Sequence, residues 1–284
     1  MKKQILMILP LLLSACSPQE GEGNAVYASF YPIYDLAKRI TKGKMEVHNL
    51  TPYGAEPHDY EPTVREVMKI VKSKAILLNG LGMEGYSSSL PKEIEEKTHV
   101  VTEGISTLEI NGIRDPHVWL SLRNGVSMMK NILSVVQEID PANASFYQSN
   151  YEEQAELFLE TQKEIEARFK DISHPYLVVS HAAFGYLCQD LGLTQIYVSG
   201  LSPNQEPTPK KLQEIVETME RYQVSTIFYE ELAPKDIAEM IAKQTGAKID
   251  NLNALEGLSA EEEKTEDYLS VMKANCEKIW EACR

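Results

Sequence analysis

Residues 55–61 read AEPHDYE and residues 115–119 read DPHVW. In each, an acidic residue and a proline lead directly into a histidine. The whole chain of 284 residues contains six histidines, so His58 and His117 in matching contexts call for an explanation. An imidazole in a loop is ordinarily a polar surface group. It is also one of the donors that zinc takes in tetrahedral sets of four N, O or S ligands. Two such loops could therefore be two jaws of one metal site.

Short β-branched runs alternate with amphipathic stretches along the chain. Residues 25–30, 45–50, 75–79 and 99–103 read as strands, with helical patterns at 33–40 and 64–73 and a further helix at 121–139. The alternation resumes with strands at 176–180, 194–199, 225–230 and 247–250. Such βαβ repetition predicts parallel sheets with helices on both faces. Between the two series, Tyr151, Ala155, Phe158, Ile165 and Phe169 recur at helical intervals without a glycine or proline. That spacing predicts one long amphipathic helix. The expected architecture is α/β: lobes at 25–142 and 173–284, each a small parallel sheet with flanking helices, joined by a rigid helix at 143–172. At roughly 150 residues per domain, the chain is long enough for two domains with two cores.

In open parallel sheets, ligands bind beyond the carboxyl ends of the strands. His58 follows the second strand, His117 lies after the fourth, and His181 directly follows the strand YLVVS. All three would face the cleft between the lobes. A fourth donor should come from the loop after the strand AKID, where Glu256 is the best-placed carboxylate and Asp250 the fallback. His48, inside a strand, and His99 and His174, beside the lobe boundaries, read as ordinary polar residues. On pattern alone, the three chosen histidines still compete with the bland reading of three unrelated loop residues.

The ends and the composition bound the compartment and the partners. Lys2 and Lys3 precede a short apolar run, Ile5 to Leu13, broken by Pro10. That run is far below the roughly 20 residues a membrane-spanning helix needs, so 1–15 reads as an export signal. Leu13-Ser14-Ala15-Cys16 resembles a bacterial lipobox, which implies that Cys16 becomes a lipidated N-terminus; the competing reading is an ordinary signal with a chance cysteine. Acyl chains contribute about 0.8 kcal/mol per buried methylene, and the polar segment 16–24 would serve as a tether. The formal net charge is −14, which argues against nucleic acid as a partner. Cys276 and Cys283 would lie about 10 Å apart on one helix, too far for a disulfide. Cys188 with either of them remains open.

The chain resembles the cluster 9 (A-I) solute-binding lipoproteins of ABC transporters for zinc and manganese, the ZnuA-like group. The resemblance spans nearly the whole mature chain, through SFYPIYDLAKRI, GAEPHDYEPT, NGLGME, DPHVWL, SHAAFGYL, LSPNQEPTPKKL and LNALEGL. It implies two α/β lobes linked by a rigid helix, with His58, His117 and His181 as metal ligands and Glu256 completing the site. It also implies a partner permease in the membrane. Two departures stand out. Many zinc members carry a His/Asp-rich loop between the first two ligands, whereas residues 84–114 contain only His99. The family often has an aspartate after HVWL, where this chain has Ser121.

Three imidazoles and one carboxylate suit Zn2+, while Mn2+ favours more oxygen donors. Four protein ligands close the coordination sphere, whereas a catalytic zinc keeps a position for water. The H-E-x-x-H arrangement of metalloproteases is absent, and Glu61, three residues after His58, is followed at once by Pro62 in a loop. The expectation is a monomeric, extracytoplasmic binding protein rather than an enzyme. The alternatives are a manganese carrier, a secreted zinc hydrolase in which Glu256 is not a ligand, and a surface adhesin. Glu230, at the end of the strand STIFYE, is the expected partner for the outer nitrogen of a ligating imidazole. Trp119 and Tyr60 could shield the cleft or pack in the core.

Overall fold

The computed structural model describes residues 25–230 and 235–284. The expected signal peptide, the tether and Cys16 lie outside the described residues. All eight expected strands are present, in two four-stranded sheets. The first sheet contains β1 (Ala25–Ala28), β2 (Glu46–Asn49), β3 (Ala75–Leu78) and β4 (Thr98–Val100), in the order β2-β1-β3-β4 and parallel throughout. A two-stranded antiparallel hairpin, β5 (Glu109–Ile110) and β6 (Ile113–Arg114), intervenes before the second half. Asn111 and Gly112 turn it with φ of 53° and 78°, the left-handed pair that a tight hairpin needs. The second sheet contains β7 (Tyr176–Val179), β8 (Thr194–Tyr197), β9 (Thr226–Glu230) and β10 (Lys248–Leu252), in the order β8-β7-β9-β10. Its pairings are again all parallel. Both sheets thus follow one pattern, with the chain's local order 2-1-3-4.

Helices α1 (Tyr31–Thr41), α2 (Val64–Lys72), α3 (Lys92–Glu95) and α4 (Leu122–Ile139) accompany the first sheet. The long helix α5 (Ala144–Arg168) follows, then α6 (Gly185–Leu191), α7 (Pro209–Tyr222), α8 (Asp236–Thr245) and α9 (Tyr268–Cys283). Helix α5 packs along α4 and also touches α1, α6 and α9. Its buried face has the expected helical spacing but is less apolar than predicted. Tyr147, Phe158 and Ile165 share it with Asn150, Gln154, Thr161 and Gln162, while Tyr151 is only partly buried. Two of the polar members reach α1: Asn150 Nδ2 donates to the Ile40 carbonyl at 2.8 Å, and Arg39 donates to Gln154 Oε1 at 2.9 Å. Among the described residues no helix is long and apolar enough to cross a membrane.

The core differs from the expected pair of separate cores. One large cluster runs from Val26 and Leu77 in the first sheet through Met128, Ile132 and Phe158 to Leu177, Val179 and Phe228 in the second. Strand side chains alternate between faces, so Ile76 and Val178 point away from this cluster. They join two smaller ones on the outer faces, with Ile70 and Ile94 in one and Ile215 and Ile241 in the other. The inner faces of both sheets therefore share one interior, built around the long helices. Cys188, Cys276 and Cys283 are all buried in it as free thiols, so the disulfide left open for Cys188 does not form.

Candidate metal centre

Each of four loops delivers one side chain to a single point. His58 lies in the segment between β2 and α2, and His181 comes two residues after the end of β7. His117 precedes the 3-10 turn Val118–Leu120, itself followed by α4. Glu256 follows β10, behind Leu255, whose left-handed φ of 60° is held where its N–H donates to Asn253 Oδ1 at 2.7 Å. Trp119 ties two of these loops together. It is fully buried, and its indole N–H donates to the Ala254 carbonyl at 2.7 Å. It is therefore a core residue and not a shield over the cleft.

The candidate donor atoms of His58, His117, His181 and Glu256 lie within 4.8 Å of one another. His58 Nε2 and His181 Nε2 stand 3.1 and 3.2 Å from His117 Nε2. Glu256 Oε1 is 3.6 Å from His58 Nε2 and 3.7 Å from each of the other two. A tetrahedron with vertices roughly 2.0–2.1 Å from its centre has edges of about 3.3–3.4 Å, so these separations bracket what a tetrahedral cation needs. Glu256 Oε1 is buried without a hydrogen-bond partner among the described residues. A buried carboxylate oxygen in that state is costly, and a cation at the centre would satisfy it.

The outer nitrogens of two rings are fixed by carboxylates. Asp115 Oδ1 accepts from the His117 backbone N–H at 3.0 Å and lies 2.7 Å from His117 Nδ1. Glu230 pairs with His181 Nδ1, and its other oxygen accepts from Ser180 Oγ at 2.6 Å and the His181 N–H at 3.3 Å. Each contact holds a proton at Nδ1, so that the Nε2 lone pair faces the centre whenever the ring is neutral. Burial, with the charges of His181 and His58, pushes His117 well below the usual imidazole range. His181 goes the other way: burial opposes its charge, but Glu230, Glu256 and Glu56 outweigh it and lift the ring to about 9. Burial raises Asp115 to about 7, and burial together with the Glu256 charge raises Glu56 to about 7.

Glu230, expected as a ring partner, is thus brought to His181. Asp115 was missed, although it is the acid of the DPH segment itself. Asp250, the fallback donor, instead accepts from the Asn251 N–H at 2.7 Å and lies 3.5 Å from Lys278 Nζ. His48 sits beside Glu46 on the first sheet, and His99 lies within β4. The backbone N–H of His174 donates to the Cys283 carbonyl. Tyr60 packs edge-on against Tyr86. Ser121 caps α4 by accepting from the Asn124 N–H and donates to Asp190 Oδ2 at 2.7 Å. An aspartate there would set two carboxylates against each other.

Comparison with known proteins places the whole described chain in a family. The family model "Zinc-uptake complex component A periplasmic" matches residues 26–282. The high-affinity zinc uptake system protein ZnuA of Bacillus subtilis is 32% identical, across 95% of this chain and 93% of that protein. The zinc-binding lipoprotein AdcA of Streptococcus pneumoniae is 30% identical, across 98% of this chain but 60% of its own length. Among solved structures, the laminin-binding protein Lmb of Streptococcus agalactiae superposes with a TM-score of 0.86 at 28% identity. That match covers 92% of this chain and all of the other, which is described as an adhesin with metal-transporting activity. From the family match over nearly its full described length, the chain belongs to the ZnuA family of zinc-uptake binding components.

Proposed function

We propose that this protein captures Zn2+ outside the cytoplasm and hands it to the permease of an ABC transporter, without catalysing a reaction. The observation that carries the reading is the convergence of three imidazole Nε2 atoms and one otherwise unpartnered carboxylate oxygen, with separations near those of a tetrahedron. In this reading His58, His117, His181 and Glu256 are the ligands, and Asp115 and Glu230 orient two of the rings. Four protein donors leave no position for a reactive water, which separates a carrier from a zinc hydrolase. Nitrogen-rich donor sets hold zinc well above manganese. The chain divides into lobes at 25–142 and 173–284 with 143–172 between them, and acylation at Cys16 anchors it to the outer face of the membrane. The relative named a zinc-binding lipoprotein supports that anchor.

The test is a competition titration of metal-free protein in metal-free buffer. Zinc should displace manganese at equal concentrations with one ion bound per chain. Manganese outcompeting zinc would overturn the choice of cargo, and binding of neither would overturn the site.

A further inference from the structure

The segment NGLGME has no place among the ligands, yet it forms the most constrained turn near them. Gly80, Leu81 and Gly82 are all left-handed, with φ of 75°, 58° and 85°. At Gly80 a Cβ would come within 2.6 Å of a Val100 methyl, so only glycine fits. Leu81 has no such licence, and a bulky residue in this region persists only where its surroundings over-determine it. The agent is Glu84, whose carboxylate is buried behind the turn. Its Oε1 accepts from the Asn79 N–H and from Ser29 Oγ, both at 2.7 Å, and its Oε2 accepts from the Gly80 N–H at 2.8 Å.

Two of those partners, Ser29 and Asn79, lead to loops that carry a histidine of the centre. The Ser29 carbonyl accepts from Thr51 twice, from Oγ1 at 2.7 Å and from the N–H at 3.0 Å. Thr51 is where the His58 loop leaves the sheet. Asn79 Nδ2 donates to the Pro116 carbonyl at 3.0 Å, immediately before His117. We infer that Glu84 is a positioning residue for metal binding: one buried carboxylate that sets the His58 loop and the His117 loop in register with each other. The inference rests on the functional reading above and adds to it a residue that touches no ligand.

The second sheet repeats the device. Ser180 follows β7 as Ser29 follows β1, and its hydroxyl donates to Glu230, at the end of β9, as that of Ser29 donates to Glu84, beyond β3. The Ser180 carbonyl accepts from the Ser199 N–H at 2.7 Å, as that of Ser29 accepts from Thr51. In one sheet the serine-bound carboxylate reaches the ligating ring directly. In the other it acts through two stretches of backbone.

The test compares wild type, Glu84→Gln and Ser73→Ala. Ser73→Ala removes a buried hydroxyl of the same lobe, bonded to the Ile70 carbonyl at 2.7 Å and remote from both loops. Zinc affinity is read by chelator competition, and the geometry of the site by the visible absorption of bound Co2+. Glu84→Gln should lose about tenfold to a hundredfold in zinc affinity, the range seen for residues that orient metal ligands, and should shift the cobalt bands. Ser73→Ala should change neither, whatever it does to the melting temperature. Wild-type affinity and an unchanged cobalt spectrum in Glu84→Gln would overturn the positioning role. Should Glu84→Gln not fold, Asn79→Ala cuts the link to Pro116, along with the local bond from Asn79 Nδ2 to the Gly80 carbonyl at 3.2 Å, and is judged by the same two readouts. A wild type that binds no zinc would sink the functional reading itself, whereas equal binding by wild type and variant would sink only this inference.

Discussion

His181 and His58 face the same point from opposite sheets, and they are held there by different means. His181 is fully buried at a strand end, and its outer nitrogen rests against Glu230 of the adjacent strand, 49 positions away in sequence. Its support belongs to the sheet. His58 is partly exposed in a loop, and its backbone N–H donates to Glu56, two residues away, at 3.2 Å. That bond travels with the loop and does not restrain it. Regions with few buried contacts and local bonds open at the lowest free energy. The shared core beneath both sheets resists a pivot between the halves. Together these point to a fixed jaw at His181 and a movable one in the segment 51–62, hinged at its base where Thr51 is bonded to the Ser29 carbonyl.

Deleting each ring breaks the comparison most severely. His181→Ala and His58→Ala should each lower zinc affinity by about a thousandfold, ~4 kcal/mol, as read by chelator competition. Their effects on the metal-free protein should differ. His181, raised to about 9, is charged at neutral pH and paired with Glu230 in the interior. Removing it strands a buried carboxylate at a cost of about 3 kcal/mol, or on the order of 10 °C in melting temperature. A pKa raised on folding gives stability that is full below the unfolded value near 6.5 and lost as pH rises through about 9. The gap between wild type and His181→Ala should therefore be widest near pH 6 and close above pH 9. His58→Ala should barely move the melting temperature. Equal destabilisation by the two would refute the fixed and movable jaws.

Proton release sharpens the same contrast at smaller amplitude. Zinc needs a neutral ring, so at pH 7.5 it must displace the proton that Glu230, Glu256 and Glu56 hold on His181. His117, kept well below its ordinary range by burial, has none to give. Zinc affinity should rise by about tenfold per pH unit up to about pH 9, then level off as the proton is gone. Glu230→Gln should flatten that slope near neutrality. Calorimetry in buffers of different ionisation enthalpy counts the protons directly, and a count of zero for wild type would contradict the pairing.

How much of this was legible in the sequence depends on range. The rule that ligands collect beyond the carboxyl ends of parallel strands put His58, His117, His181 and Glu256 at one cleft. On pattern alone they still competed with unrelated loop residues, and only the family resemblance made them a ligand set. Glu230 followed from its place at a strand end and from the need of a ligating ring for a partner at its outer nitrogen. Asp115 was overlooked because its proximity to His117 invited a reading of the DPH segment as an echo of EPH rather than as a donor and its partner. The polar stripe of α5 was invisible to a search for apolar periodicity, since Asn150 and Gln154 are placed by partners on α1, more than a hundred residues away. The hairpin at 109–114 was missed because two-residue strands are too short to show alternation. The merged core could not be read at all. Composition counts apolar residues without saying which sheet face they cover.

The smallest effect tests the gate itself. The movable segment touches the second half where Asn204 Nδ2 donates to Asp59 Oδ2, and where Tyr53 lies beside Gly257, next to Glu256. Both Asn204 and Asp59 are exposed, so water competes for the bond. A contact of this kind contributes about 1 kcal/mol at most. Asn204 is the better partner to change, because Asp59 adjoins His58. Asn204→Ala should leave the melting temperature and the cobalt spectrum as they are, since it alters neither the core nor the centre. It should speed zinc release into excess chelator about twofold to fivefold, because the bond resists opening and contributes nothing once the loop has lifted. An unchanged release rate would mean that the segment 51–62 leaves without breaking this contact.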